Sequence, residues 1–175
     1  MSKDRLASDF GEWTDYRVPQ DRSDWHPLVR RFYEYWLSIR PEGQLPGRQH
    51  LAPEQMVPML SRMWMLDVHR DPLRFRYRLY GTALANSLQR DVTGRWMDEA
   101  ASEIVDNPEV RGRLRFMVDA GYPTWRRGPT LRDGRDPLHR IIENCVAPLA
   151  ADGKTVDILA GIAVVFDATG KAISG

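Results

Sequence analysis

The longest helical pattern in the chain lies in residues 24–39, where Trp25, Leu28, Val29, Phe32, Tyr35, Trp36 and Ile39 form a wide apolar stripe. Asp24 can cap this helix, Pro27 falls in its first turn, and Arg40-Pro41-Glu42-Gly43 ends it, because a residue before proline disfavours the helical conformation. A shorter helix is expected over residues 51–60, interrupted by Pro58. The period then changes from helical spacing to two. Residues 63–68 and 75–80 read as strands joined through Arg70-Asp71-Pro72-Leu73, a turn signal. In the second strand Arg74, Arg76 and Arg78 alternate with Phe75, Tyr77 and Leu79, which predicts a charged outer face and points the three apolar residues inward.

A short helix follows over 81–88, then a loop through 90–95 and a longer helix over 108–120 that Gly121 stops. Three strands complete the pattern at 124–131, 139–149 and 156–166, separated by turns at 132–137 and 151–154 that each carry an Asp-Gly step. Apolar residues fall on both alternating faces near 140–147, so the register there stays open. Ahead of all this, residues 1–23 read as a loosely ordered arm whose Phe10, Trp13 and Tyr16 recur every three residues, as on one side of a helical turn that docks on its own domain or on a second copy. The organisation expected is an arm at 1–23, a helical extension at 24–60, an α+β core at 61–167 and a tail at 168–175.

The chain of 175 residues suits one domain, with 42% hydrophobic and 28% charged residues, so neither wholesale disorder nor a fibrous composition applies. A net charge of +1 offers no global field for a polyanion, and nucleic acid is not expected as a partner. All but three of the 25 basic residues are arginine, which suits carboxylate or phosphate contacts but also follows from codon usage alone. The lone cysteine, Cys145, forbids an internal disulfide and fits a reducing cytoplasm. No apolar run reaches the length of a membrane span, and the first residues lack a signal-peptide core, so a cytoplasmic location without membrane contact is expected.

The run Phe75-Arg76-Tyr77-Arg78-Leu79-Tyr80-Gly81-Thr82-Ala83-Leu84, followed by Asp91-Val92-Thr93-Gly94-Arg95, resembles a segment of a compact bacterial, stand-alone PAS subfamily. Tyr35-Trp36, Leu45-Pro46-Gly47-Arg48, Leu60 and Met65-Leu66-Asp67-Val68 match what precedes the core in that subfamily, so the resemblance spans residues 25–167. It implies a five-stranded antiparallel sheet with helices on one face and an N-terminal helical extension, enclosing a pocket in some members and solid in others. It also implies signal transduction by a sensor, a ligand carrier or a protein-interaction module. Because the chain ends soon after its last predicted strand, output is expected through contacts with another molecule.

Haem-binding PAS sensors commonly supply an axial histidine from the long helix, and residues 108–120 hold none, so haem is disfavoured. Light-oxygen-voltage flavin sensors need a reactive cysteine in an "NCRFLQ" motif. Asn144-Cys145 begins alike, but Val146-Ala147-Pro148-Leu149 departs from it, so flavin is disfavoured too and no cofactor is expected. His26, His50, His69 and His139 show no metal-ligand spacing, and no metal site is expected. No nucleophile elbow, phosphate loop or dinucleotide fingerprint appears, so no catalytic residues and no enzyme activity are expected. Arg111 and Arg115 match half of a cyclic-dinucleotide motif, but Asp157-Ile158-Leu159-Ala160-Gly161 lacks the serine of the other half, leaving a solvated helix face as the simpler reading.

If a pocket exists, its lining is expected from Tyr77, Leu79, Leu84, Trp96, Met117, Trp125 and Cys145, with Tyr77, Arg78 and Asn144 as groups able to fix a small molecule. In a domain of this size the same residues equally serve as a solid core. Trp13, Trp25, Phe32 and Trp36 are the candidates for a homodimer interface. Three functions follow in order: a non-catalytic PAS sensory module acting on an unidentified signalling protein, a small-ligand binding or carrier protein, and, least favoured, a nucleotide or nucleic-acid binder.

Overall fold

Pro27 fixes the first turn of helix α1 (Pro27–Ser38), so the capping position falls on residue 26 and not on Asp24; His26 Nδ1 accepts the Leu28 N–H at 3.2 Å. The computed structural model describes residues 7–8, 11–12, 17–129 and 140–173. The aromatics Phe10, Trp13 and Tyr16 and the turn expected at 132–137 lie outside them. Within the arm, Ala7–Ser8 and Gly11–Glu12 pair as a short antiparallel ladder. The helix expected over 51–60 shrinks to α2 (Pro53–Met56) and a 3-10 turn at Leu60–Arg62, with Pro58 between them.

Five strands follow: β1 (Met63–His69), β2 (Arg74–Tyr80), β3 (Thr124–Pro129), β4 (Ile141–Leu149) and β5 (Ile158–Phe166). They form one antiparallel sheet in the order β2-β1-β5-β4-β3. All nine residues of central β5 are buried, which explains why its sequence is a continuous apolar run without alternation. Between β2 and β3 come α3 (Thr82–Leu88), α4 (Met97–Ala100), α5 (Ser102–Val105) and α6 (Pro108–Ala120). Asn107 caps α6 through its side chain, and Gly121 ends it in the left-handed conformation with φ of 67°. Among the described residues no helix is long and apolar enough to cross a membrane.

The two faces of the sheet are covered by different parts of the chain. α1 lies on the face that carries Trp125, Glu143 and Cys145, where the Trp25 ring stacks on Trp125 with centroids 5.0 Å apart and planes 5° from parallel. Trp36 Nε1 donates to the Pro148 carbonyl at 2.9 Å. Residues 147–149 of β4 extend past the end of β3, so this carbonyl lies where no outer strand takes it, and the indole supplies the missing donor. Trp25, Val29, Phe32, Tyr35 and Trp36 are buried in the same cluster as the sheet residues, and α1 therefore belongs to the main core. That corrects the expectation of Trp25, Phe32 and Trp36 as a dimer surface: all three are consumed by packing within the chain. Trp13, the fourth candidate, lies outside the described residues.

Glu143 anchors this face. Its side chain is fully buried; Oε1 accepts the His26 N–H at 2.9 Å and the Trp125 indole N–H at 3.4 Å, and Arg127 Nη1 lies 3.9 Å from Oε2. Burial pushes its carboxyl up from the ordinary value, against the lowering effects of those two donors and Arg127. At pH values between the unfolded and folded pKa the native state holds the extra proton, so this group's contribution to stability is largest below the unfolded value and falls as pH rises through the folded one.

Two predictions follow from this packing. Phe32→Ala should cost about 3–5 kcal/mol in urea denaturation; an unchanged midpoint together with weaker self-association would return the α1 stripe to the surface. The stability of Glu143→Gln relative to the parent chain should improve as pH is raised from about 4 to about 7, because only the parent loses the contribution of the protonated carboxyl. A difference that stays flat over that range contradicts the buried-carboxyl account.

Candidate ligand pocket

The strict alternation expected along β2 fails at one residue. Leu66 pairs with Tyr77 while Met65 pairs with Leu79, so Arg78 is an extra residue in the ladder, a β-bulge. Tyr77 therefore shares the face of Leu66, Leu79 turns to the face of Met65, and Tyr80, opposite Trp64, returns to the first face with its ring 5.4 Å from that of Tyr77. Arg78 stays outside, donating to Asp67 Oδ1 at 2.6 Å.

Between this face of the sheet and helices α3 to α6 lies a cavity of about 190 Å³. Trp64, Leu66, Tyr77 and Val146 wall it from the strands, and Leu84, Met97, Leu114 and Met117 from the helices. The wall at Trp64 depends on a glycine: a Cβ added to Gly161 would lie 2.4 Å from the indole, so only a bare backbone lets the ring lie flat on β5. Burial pushes the Tyr77 hydroxyl well up, which keeps its proton in place as a donor.

Of the seven lining residues expected from the sequence, Tyr77, Leu84 and Met117 line this cavity and four do not. Leu79 is turned away by the bulge. Trp125 and Cys145 pair with each other across β3 and β4 on the α1 face, where Trp125 stacks on Trp25. Cys145 is wholly buried there, and burial pushes its thiol up, so it is a packed apolar group beyond reach of anything in the cavity. Trp96 stands at the outer edge of the sheet, 4.1 Å beneath the Arg74 guanidinium and 4.8 Å from His69. There Arg74 spans both carboxylate oxygens of Asp98 at 2.9 Å, tying the edge strand β2 to α4.

The polar lining differs from expectation as well. Asn144 is present, joined by Arg113, Arg126, Arg140 and Glu109. Arg113 donates from Nε to Thr124 Oγ1 at 2.8 Å and from Nη2 to Asn144 Oδ1 at 2.6 Å. Arg126 donates from Nη2 to the Pro129 carbonyl at 2.7 Å. Burial, reinforced by the nearby Arg113 cation and opposed by Glu109, lowers Arg126 from the ordinary guanidinium value, yet a guanidinium keeps its charge at neutral pH. Arg111 and Arg115 are exposed on the outer side of α6, as a solvated face requires, whereas Arg113 between them is buried.

Sequence signals for the two missed arginines exist but are faint. Arg126 alternates with Trp125 along β3, which sends it to the other face, and Arg113 stands four residues before Met117 on one side of α6. Among the described residues no group of three or more His, Cys, Asp or Glu side chains gathers as metal ligands would. No curated protein sequence matches the chain. A family model described as a PAS domain matches residues 25–163, from the start of the α1 region into β5, and with nearly the whole fold inside that match the chain belongs to the PAS domain family.

Proposed function

We propose that this PAS domain is a non-catalytic sensory module in which a small molecule occupies the cavity and the change is read by another protein, a second copy of the chain being one such partner. The cavity itself carries this reading. Apolar walls with a few polar groups are the composition of a small-molecule site, and the lining joins α6 to all five strands, so occupancy bears on the helical cover and the sheet together. At about 190 Å³ it lies below the roughly 300–1,000 Å³ of sites for drug-sized ligands, which favours a small occupant. This reading uses neither a histidine-ligated haem nor a cysteinyl-flavin photoadduct: His26, His50 and His69 do not line the cavity, and Cys145 faces the opposite side of the sheet.

Room for a ligand comes from small side chains on β5. Ala163 lines the cavity between Gly161 and Val165, and a leucine there would extend into the space. Native mass spectrometry of the full chain, incubated with a mixed panel of small aromatic and aliphatic compounds, should show one-to-one non-covalent adducts on the parent chain. Ala163→Leu, with a urea midpoint that shows it folded, should lose them. A dimer mass is expected for both. Adducts of equal abundance on the two chains, or none on the parent chain, would reject the ligand-sensing reading, and a monomer at every concentration would remove the second copy as partner.

A further inference from the structure

The two buried guanidinium groups in the cavity wall are held by the chain itself, Arg113 by Thr124 and Asn144 and Arg126 by the Pro129 carbonyl. Two uncharged polar side chains of the wall are also more than nine-tenths buried, Tyr77 at 5% and Asn144 at 8% exposed. Among the described residues nothing accepts from Asn144 Nδ2, and nothing bonds to the Tyr77 hydroxyl. A guanidinium only donates, so the Asn144 oxygen must face Arg113 and its NH2 group must face away. A buried donor without a partner is costly, and native structures rarely keep one without a use for it.

Register sets where this donor stands. Asn144 lies directly opposite Ala163 on β5 and both side chains line the cavity, so the amide flanks the space that the small alanine leaves. The Trp64 ring lies over Gly161, two residues from Ala163. Met117 reaches in from α6, its Sδ accepting from Thr124 Oγ1 at 3.2 Å, and Thr124 pairs with Val146 beside Asn144. Tyr77 stands elsewhere: it pairs with Leu66 and Leu66 with Leu159, four residues along β5 from Ala163, or about 13 Å at about 3.3 Å per residue.

From this geometry we infer that the cavity takes a small uncharged organic molecule with one hydrogen-bond acceptor, a ketone oxygen or a ring nitrogen on a single ring, the acceptor on Asn144 Nδ2 and the body against Trp64 and Met117. The inference deepens the ligand-sensing reading above and rests on it. Size, charge and polarity each bear on the class. A cavity of about 150 Å³ lined by apolar side chains accepts benzene, so the cavity of about 190 Å³ here has space for one ring and a small substituent. An uncharged acceptor leaves the bonds of Arg113 to Thr124 and Asn144 in place, whereas a carboxylate would have to take that fork from them. An NH2 group donates and does not accept, so an occupant offering only an N–H would set two donors against each other.

The test compares ring probes on the full chain by isothermal titration calorimetry at mildly alkaline pH, where pyridine is uncharged. Pyridine and pyrrole match in size, but the first offers only an acceptor and the second only an N–H; acetophenone and benzoate match in shape and differ in charge. Pyridine should bind about fivefold or more tighter than pyrrole, the worth of one hydrogen bond made, and acetophenone should bind tighter than benzoate. Asn144→Asp keeps an oxygen for Arg113 and replaces the NH2 group by a second oxygen, so it should reverse the order and favour pyrrole. Tyr77→Phe should leave the order as in the parent chain. Pyrrole binding as well as pyridine overturns the acceptor assignment and leaves the pocket standing. Benzoate binding tighter than acetophenone overturns the uncharged class. A preference for pyridine that survives Asn144→Asp, or is lost in Tyr77→Phe, overturns Asn144 as the donor. Failure of every probe rejects the pocket and this inference together. The comparison on the parent chain decides the class even if a variant does not fold.

Discussion

Side chains on successive residues of β4 leave the sheet in opposite directions, and most of the molecule is organised by that alternation. Glu143 and Cys145 go to one face, Asn144 and Val146 to the other. The first face is closed by α1, whose aromatic stripe stacks on Trp125 and whose amino end is held by the buried Glu143 carboxylate. With that face sealed by an element from outside the strand-helix-strand core, the second face is left to four helices, three of them no longer than seven residues. Short helices with small residues beneath them leave space. The small side chain of Ala163 on β5 lines the cavity, while the space over Gly161 is taken by the Trp64 ring.

Local chemistry made a good part of this legible beforehand. The limits of α6 follow from Asn107-Pro108 at one end and Gly121 at the other, and the buried stripe of α1 follows from its spacing alone. The order of two strands, helices and three strands was readable because each segment keeps its own period. What the pattern could not supply was the destination of each face. An aromatic stripe looks the same whether it covers the sheet of its own chain or that of a neighbour, which is why Trp25, Phe32 and Trp36 read as an interface. The bulge at Arg78 had no signature, since no glycine marks it, and a single inserted residue was enough to reverse Leu79. Trp125 and Cys145 were assigned to the cavity for their apolar character, although the open register of β4 left their face undetermined.

The arginines are the more instructive omission. In a chain with so many, each one reads by default as solvated surface, and for Arg111, Arg115 and Arg78 that is correct. Arg113 and Arg126 differ only in phase along α6 and β3, so their burial depends on which side of each element meets the other, a tertiary fact. Once the faces are known, the same two side chains are found lining the cavity between the helices and the sheet. Sensing then has a physical basis. An occupant of the cavity would touch α6 and the sheet at once.

The central claim, that the helical face holds the ligand site while the α1 face is closed, is tested most directly by crystallography with bromobenzene, whose bromine gives an anomalous signal independent of the protein's own density. The account predicts one strong peak between α6 and the sheet, near Met117 and Trp64. A peak on the α1 face beside Trp125 and Cys145, or an empty cavity at saturating ligand, would contradict it.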